Sequence, residues 1–231
     1  MEIRPIAHIR SDFAEKFGIP RQSGLVDSLE ARVVFAPEFR NPDALRGIEG
    51  FSHLWLIWEF SQAKREGFSP TVRPPRLGGN VRLGVFATRS PFRPNPLGLS
   101  CVRLLGVEET PREGLVLRVA GADLLDGTPI YDIKPYLPYA DCRPEAEGGW
   151  TGGEADRLLT VSCPENLLAR LPEGKRAAAL GVLANDPRPH YQNDPERVYG
   201  LAFAGFELRF RVEGDALTVT DIRPSSGKES L

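Results

Sequence analysis

Long apolar runs, metal-ligand clusters and phosphate-cradling glycine motifs are all missing from this chain of 231 residues. Three cysteines, Cys101, Cys142 and Cys163, stand far apart with no CxxC pair. That spacing fits neither a disulfide framework nor a zinc cluster and points to a reducing cytoplasm. The first residues, MEIRPIAHIR, carry charge at Glu2, Arg4 and Arg10 and hold no apolar core of signal length. No apolar run approaches membrane-spanning length, so the expectation is a cytoplasmic protein, neither secreted nor inserted in a membrane. The patterns GxGxxG, GxxxxGK[ST], GxSxG and HExxH do not occur, which argues against dinucleotide, triphosphate, serine-triad and zinc-protease chemistry. His8, His53 and His190 are isolated from one another, so no metal set is expected. His53, inside FSHLWLIWEF, reads as a core or interface residue.

One further absence is local. From Gly67 to Val107 there is no Asp or Glu, while Arg73, Arg76, Arg82, Arg89, Arg93 and Arg103 leave the segment strongly cationic in a chain of net charge −2. A near-neutral whole argues against a whole-surface nucleic-acid binder; a local patch of one sign argues for an anionic partner met there. Within the patch, Thr88–Pro96 interleaves Pro91, Pro94 and Pro96 with Arg, Ser and Asn. Each proline fixes its own φ and biases the preceding residue away from helix, so the loop is held extended and loses little entropy on ordering around a ligand.

An apolar fraction of 41% is enough for a packed core. The segments Ile3–Ile9, Ala31–Phe35, Phe51–Phe60, Val81–Ala87, Leu99–Val107, Leu115–Ala120 and Ile130–Ile133 are short, rich in Val, Ile, Leu and aromatics, and separated by Gly, Pro, Asn and Asp. They read as strands. No helical pattern recurs between them, which disfavours a doubly wound sheet and predicts a mostly antiparallel barrel. After Tyr139 the stretch Asp141–Gly153 is polar and glycine-rich, the composition of a surface connection. Beyond it, Pro164–Leu171 and Lys175–Leu183 read as helices, and Tyr199–Val212 with Leu217–Ile222 as a hairpin around Glu213–Asp215. The expected fold is mainly β: an antiparallel β-barrel domain over residues 1–145, then a small α+β domain over 146–231.

Four segments stand out together: Gly18–Gln22 (GIPRQ), Phe51–Trp55 (FSHLW), Thr71–Asn80 running on into Ala87–Gly98 (ATRSPFRPNPLG), and Gly121–Tyr136 (GADLLDGTPIYDIKPY). This set resembles the TrmO (TsaA-like) family of S-adenosylmethionine-dependent tRNA methyltransferases. Asn185–Tyr191 (NDPRPHY) with Arg197–Tyr199 is similar to the C-terminal domain of its bacterial members. The resemblance implies a β-barrel methyltransferase domain, a homodimer, and S-adenosylmethionine as cofactor with no metal. It implies methylation at N6 of the threonylcarbamoyl-modified adenosine beside the anticodon, position 37, of threonine tRNA. It also implies cofactor contacts at Pro20, Arg21, Gln22, Phe60, Ser61, Arg89, Leu99, Leu124, Leu125, Asp126 and Gly127.

The residues themselves add to this. Such a substrate bears phosphates and a threonyl carboxylate, two anionic targets for the arginine segment, with Arg76 and Arg93 the expected substrate contacts and Arg89 equally able to make bidentate bonds. Arg188, Tyr191 and Arg197 combine cationic and aromatic groups of the kind that grip phosphates and stack on splayed bases. Tyr191 and Tyr199 filling a small core is the competing reading. Asp126-Gly127 suits a tight turn with free backbone N–H groups, and Leu124 and Leu125 suit contact with an adenine ring. Asn95 or Asp126 is expected to orient the target amine and take its proton. Two rival functions remain: a non-catalytic RNA-binding module that senses S-adenosylmethionine or a nucleotide, and a hydrolase using Asp123, Asp126 and Asp132.

Overall fold

The computed structural model describes residues 2–63, 67–152, 158–188 and 194–225. The first part of the chain forms β1 (Ala7–Arg10), β2 (Glu30–Phe35), β3 (His53–Glu59), a two-residue pair β4 (Thr71–Val72) and β5 (Leu83–Gly84), then β6 (Leu97–Thr110), β7 (Gly114–Ala120), β8 (Pro129–Pro135) and the single turn α1 (Pro138–Asp141). Six of these strands close a barrel in the order β1-β2-β7-β6-β3-β8, with every neighbouring pair antiparallel. The alternation along β3 shows why: Leu54, Leu56 and Trp58 point inward and are buried, while His53, Trp55, Ile57 and Glu59 face out. A period of two with one apolar face is what a barrel wall requires.

The expected Val81–Ala87 strand is a correction. Only Leu83–Gly84 pairs, with β4, and Val85–Ala87 winds into a 3-10 turn whose Val85 is buried. Apolar content there reflects one anchoring valine, not a wall strand. β6 is longer than expected and carries an irregularity between Leu104 and Gly106, where the register against β7 shifts. A bulge of this kind bends a strand around a small barrel.

The remainder forms β9 (Thr160–Ser162), α2 (Glu165–Leu168), α3 (Glu173–Ala184), β10 (Tyr199–Phe203), β11 (Phe206–Glu213) and β12 (Ala216–Pro224). Its sheet runs β10-β11-β12-β9, with β9 parallel to β12. The single strand expected over Tyr199–Val212 is in fact two, because Ala204 and Gly205 both adopt positive φ and turn the chain. Strand β9, too short and half polar, left no readable pattern.

Two apolar cores result among the described residues, and their membership crosses the chain in an unexpected way. The core around α3 and β10–β12 includes Phe13, Val26 and Leu29 from the loop between β1 and β2, with Phe17 and Ile19 packed against it. Phe13 meets Phe203 edge-on at 5.5 Å. Lys175 of α3 bonds Asp12 at 2.7 Å, and Ala204 donates its N–H to Asp12 O. Gly18 has φ +89° and lies so close to Leu201 that a Cβ would stand 2.1 Å from its Cδ1, so this contact needs a glycine. Replacing Phe13 with Ala should cost about 3–5 kcal/mol, the usual loss for a buried phenylalanine. Denaturant unfolding should register it, and a loss below about 1 kcal/mol would mean that Phe13 does not anchor the first loop in this core.

Candidate active site

Three segments meet at the end of the barrel where β3, β6 and the residues after β7 lie together. The first is the loop after β1, which donates Gly24 N–H to Gly121 O and receives Gly121 N–H at Leu29 O. Its Lys16 Nζ bonds Gln62 O at 3.1 Å. The second is the proline-rich rim Thr88–Pro96. It is held by its own bonds: Thr88 Oγ1 to Val85 O, Ser90 N–H to Thr88 Oγ1, Phe92 N–H to Ser90 Oγ, and Leu97 N–H to Asn95 O. Phe60 N–H to Pro96 O, at 2.8 Å, ties its end to the end of β3. The third is the Asp123–Thr128 loop.

All the expected site residues but Tyr191 fall among the described residues. Pro20 is buried and Gln22 half-buried. Gln22 Oε1 accepts a hydrogen bond from Arg89, so the first loop and the rim touch directly. The exposed Arg21 contributes charge opposite Asp186. Phe60 packs on Trp58 with ring centroids 4.3 Å apart, and Ser61 is exposed in the following turn. Arg93 folds back to donate to Thr88 O, Asn95 is exposed on the rim, and Arg76 is exposed in the turn Pro75–Leu77. Leu99 is 57% exposed on the outward side of β6, opposite in sense to the buried Ser100 beside it, and so stands apart from the inward cluster.

The Asp123–Thr128 loop departs from expectation in two respects. Asp126 N–H and Gly127 N–H are both used, by Phe13 O and Ile9 O, so the turn offers no free donors there. The loop is short and must be tied to β1 to close the barrel end. Leu124 is fully buried in the barrel core, a packing residue rather than a surface for a ring, while Leu125 is half-buried. Asp126 accepts from Ser11 N–H at 3.0 Å and faces Arg10 at 3.8 Å.

In the second unit, Arg188 is only 8% exposed and its guanidinium is committed bidentately to Asp186, at 2.8 and 2.9 Å. Arg197 lies over the Tyr199 ring, 5.2 Å from the centroid, and Tyr199 is buried and stacked on Phe210. Tyr199 is therefore a core residue. Tyr191 lies outside the described residues.

Inside the barrel end runs a polar chain that sequence reasoning passed over. Trp58 Nε1 donates to Ser100 Oγ at 2.9 Å, and Ser100 Oγ donates to Asp123 Oδ1 at 2.5 Å. Burial pushes the Asp123 carboxyl above the usual range, opposed by the Ser100 bond, its own amide, Arg89 and the Ser23 N–H. The signal was available: in the strand LGLSCV, alternation sends Ser100 inward, a polar residue on a core face. The three carboxylates of the hydrolase reading do not share a site. Asp123 belongs to Ser100, Asp126 to Ser11 and Arg10, and Asp132 to Ile133 N–H and Lys134.

Two family models cover most of the chain: that of the tRNA-methyltransferase O N-terminal domain matches residues 8–142, and that of the TrmO C-terminal domain matches residues 163–225. The chain belongs to the TrmO family. A relative from Escherichia coli K12, a tRNA (adenine(37)-N6)-methyltransferase, is 41% identical over 96% of this chain and 98% of its own. A Pseudomonas aeruginosa protein provisionally described as an S-adenosylmethionine-dependent methyltransferase is 40% identical over 95% of this chain and 96% of its own. A crystal structure of TrmO from P. aeruginosa superposes with a TM-score of 0.79 at 36% identity, covering 97% of each chain.

Gly98 lets the Trp58 ring lie against the backbone, since a Cβ there would come within 2.3 Å of Trp58 Cε2. Gly98→Ala should destabilise the fold by about 1–3 kcal/mol through displacement of that ring. An unchanged melting temperature together with an unchanged near-ultraviolet tryptophan spectrum would show that the contact is not tight.

Proposed function

We propose that this protein transfers a methyl group from S-adenosylmethionine to N6 of the threonylcarbamoyl-modified adenosine at position 37 of threonine tRNA, and that it does so as a homodimer. Membership of the TrmO family supports tRNA adenine-N6 methylation with that donor. The finer substrate rests on the acid-free arginine segment, which suits an anticodon loop bearing a carboxylate in addition to its phosphates.

The donor set fits the cofactor: a guanidinium and an amide already in contact (Arg89, Gln22), a hydroxyl (Ser61), and apolar surface from Phe60 and Leu125. These suit a ligand with an amino-acid head, a ribose and a purine. S-adenosylmethionine supplies an electrophilic methyl on a sulfonium, so no metal is needed. On this reading Pro20, Arg21, Gln22, Phe60, Ser61, Arg89 and Leu125–Gly127 surround the cofactor, with Leu124 packing behind them. The protein's work is alignment and exclusion of water. The adenine amine is a weak nucleophile, and Asn95, exposed on the stiff rim, is assigned to orient it by accepting a hydrogen bond. Asp126 is the second candidate, although it already accepts from Ser11.

Arg76 in the turn Pro75–Leu77 and Arg93 on the rim, with Arg197 and Tyr191 of the part after residue 146, are assigned to the RNA. Arg188 would contribute through its hold on Asp186 rather than by direct contact. The exposed apolar side chains Phe86, Phe92, Leu97 and Leu99 support pairing with a second copy. The three free cysteines suit a reducing cytoplasm.

Incubation with labelled S-adenosylmethionine and threonine tRNA, with and without the threonylcarbamoyl group, tests the reading. Transfer to the modified tRNA alone is expected. Transfer to unmodified tRNA overturns the substrate, and binding without transfer favours a sensing module. Asn95→Ala should lower turnover by about 10²-fold, the scale of a lost proton-handling group, with cofactor affinity nearly intact. Equal loss of both by calorimetry and kinetics rejects its role.

A further inference from the structure

We propose that Asp123 is a positioning residue for methyl transfer: an ionised carboxylate seated beneath the site that holds Arg89 and the first loop in place. The inference deepens the reading above and rests on it.

Four parts of the chain converge on this one carboxyl. Ser100 of β6 donates its hydroxyl at 2.5 Å, and Ser100 in turn receives the indole N–H of Trp58 from β3. The backbone N–H of Ser23 in the first loop also donates to Asp123, and Arg89 of the rim faces it with its positive charge. Both outer partners are tied further. Ser23 Oγ accepts from Cys101 N–H at 3.1 Å, and Arg89 donates to Gln22.

The polarity of the chain is fixed. An indole N–H can only donate, so Ser100 must accept from Trp58 and direct its own proton to Asp123. Ser100 is fully buried, so neither of its bonds can be exchanged for water. Asp123 thus stands at the receiving end of every hydrogen bond it makes, the role of an anion. A desolvated anion is retained only where a countercharge compensates it. Here that charge is Arg89, whose neighbours Pro91, Pro94 and Pro96 already restrict the rim. Asp123 therefore anchors the rim's charged contact on one side and the first loop on the other. Protonation would leave the hydrogen bond from Ser100 possible but remove the hold on Arg89. Because burial raises this carboxyl above the ordinary range, that loss arrives at a higher pH than for a surface aspartate. The groups facing it are Arg89, Ser23, Ser100 and, behind Ser100, Trp58.

The test compares wild type, Asp123→Asn, Arg89→Gln and the double variant. For each, kcat and KM for S-adenosylmethionine are measured from pH 5 to 9 on modified tRNA, alongside thermal melting. Asp123→Asn keeps an oxygen for Ser100 and removes the charge. It should lower kcat/KM by about tenfold or more and abolish the acid limb of the profile, with the double variant no worse than the single ones. Multiplying losses in the double variant, or an acid limb that survives Asp123→Asn, overturn the proposal. Should Asp123→Asn fail to fold, Ser100→Ala carries the test: removing one donor should move the acid limb up by roughly one pH unit, and an unmoved limb overturns the proposal. A wild-type protein that transfers no methyl group overturns the broader reading together with this one. An active wild type with an indifferent Asp123→Asn overturns this one alone.

Discussion

The loop between β1 and β2 has to satisfy an apolar core and the polar end of the barrel at once. Phe13, Val26 and Leu29 are buried among α3 and the second sheet, while Pro20 to Ser23 reach the barrel end and touch Arg89 and Asp123. A segment pinned by apolar burial on one side and by charge and hydrogen bonds on the other has little freedom left. The lysine at 175 and the backbone bonds around Gly121 fasten its two ends. The wall of the site is therefore as stable as the core into which its base is packed. This is how a loop, usually the mobile part of a protein, comes to hold groups in a fixed arrangement.

The rim achieves stiffness differently. It has little buried surface; its order comes from prolines that restrict the unfolded chain and from Thr88 and Ser90 hydroxyls that replace missing backbone partners. Keeping acids out of the same segment leaves its arginines available to a partner rather than to one another's counterions. The exception is Arg89, whose positive charge is answered from below. Of the rim's two arginines, Arg89 thus reaches across to Gln22 of the first loop, while Arg93 folds back onto Thr88 O.

Much of the barrel could be read in the sequence because wall strands announce themselves by alternation, as HLWLIWE does. Where alternation failed as a guide, local chemistry had overridden it. Val81–Ala87 looks like a strand because Val85 anchors the rim, and Tyr199–Val212 hid a turn at Ala204, a residue that rarely takes a positive φ. Of the site, the motif-bearing loops were legible, since prolines and Asp-Gly speak through local geometry. The Trp58–Ser100–Asp123 chain was not, because it joins residues far apart whose only signature is a polar side chain at an inward position. The sharing of Phe13 and Val26 between halves was equally hidden, being a property of packing between distant segments.

The indole of Trp150, in the connection between the two parts, donates to the carbonyl of Ala87 at 2.7 Å. A tether pinned part-way along behaves as two shorter ones, and the entropy of closing a loop grows only with the logarithm of its length. Residues can then be gained or lost on the barrel side of Trp150 with almost no change in the spacing experienced by the second half. Length drift in this connection is thereby decoupled from the geometry at either end.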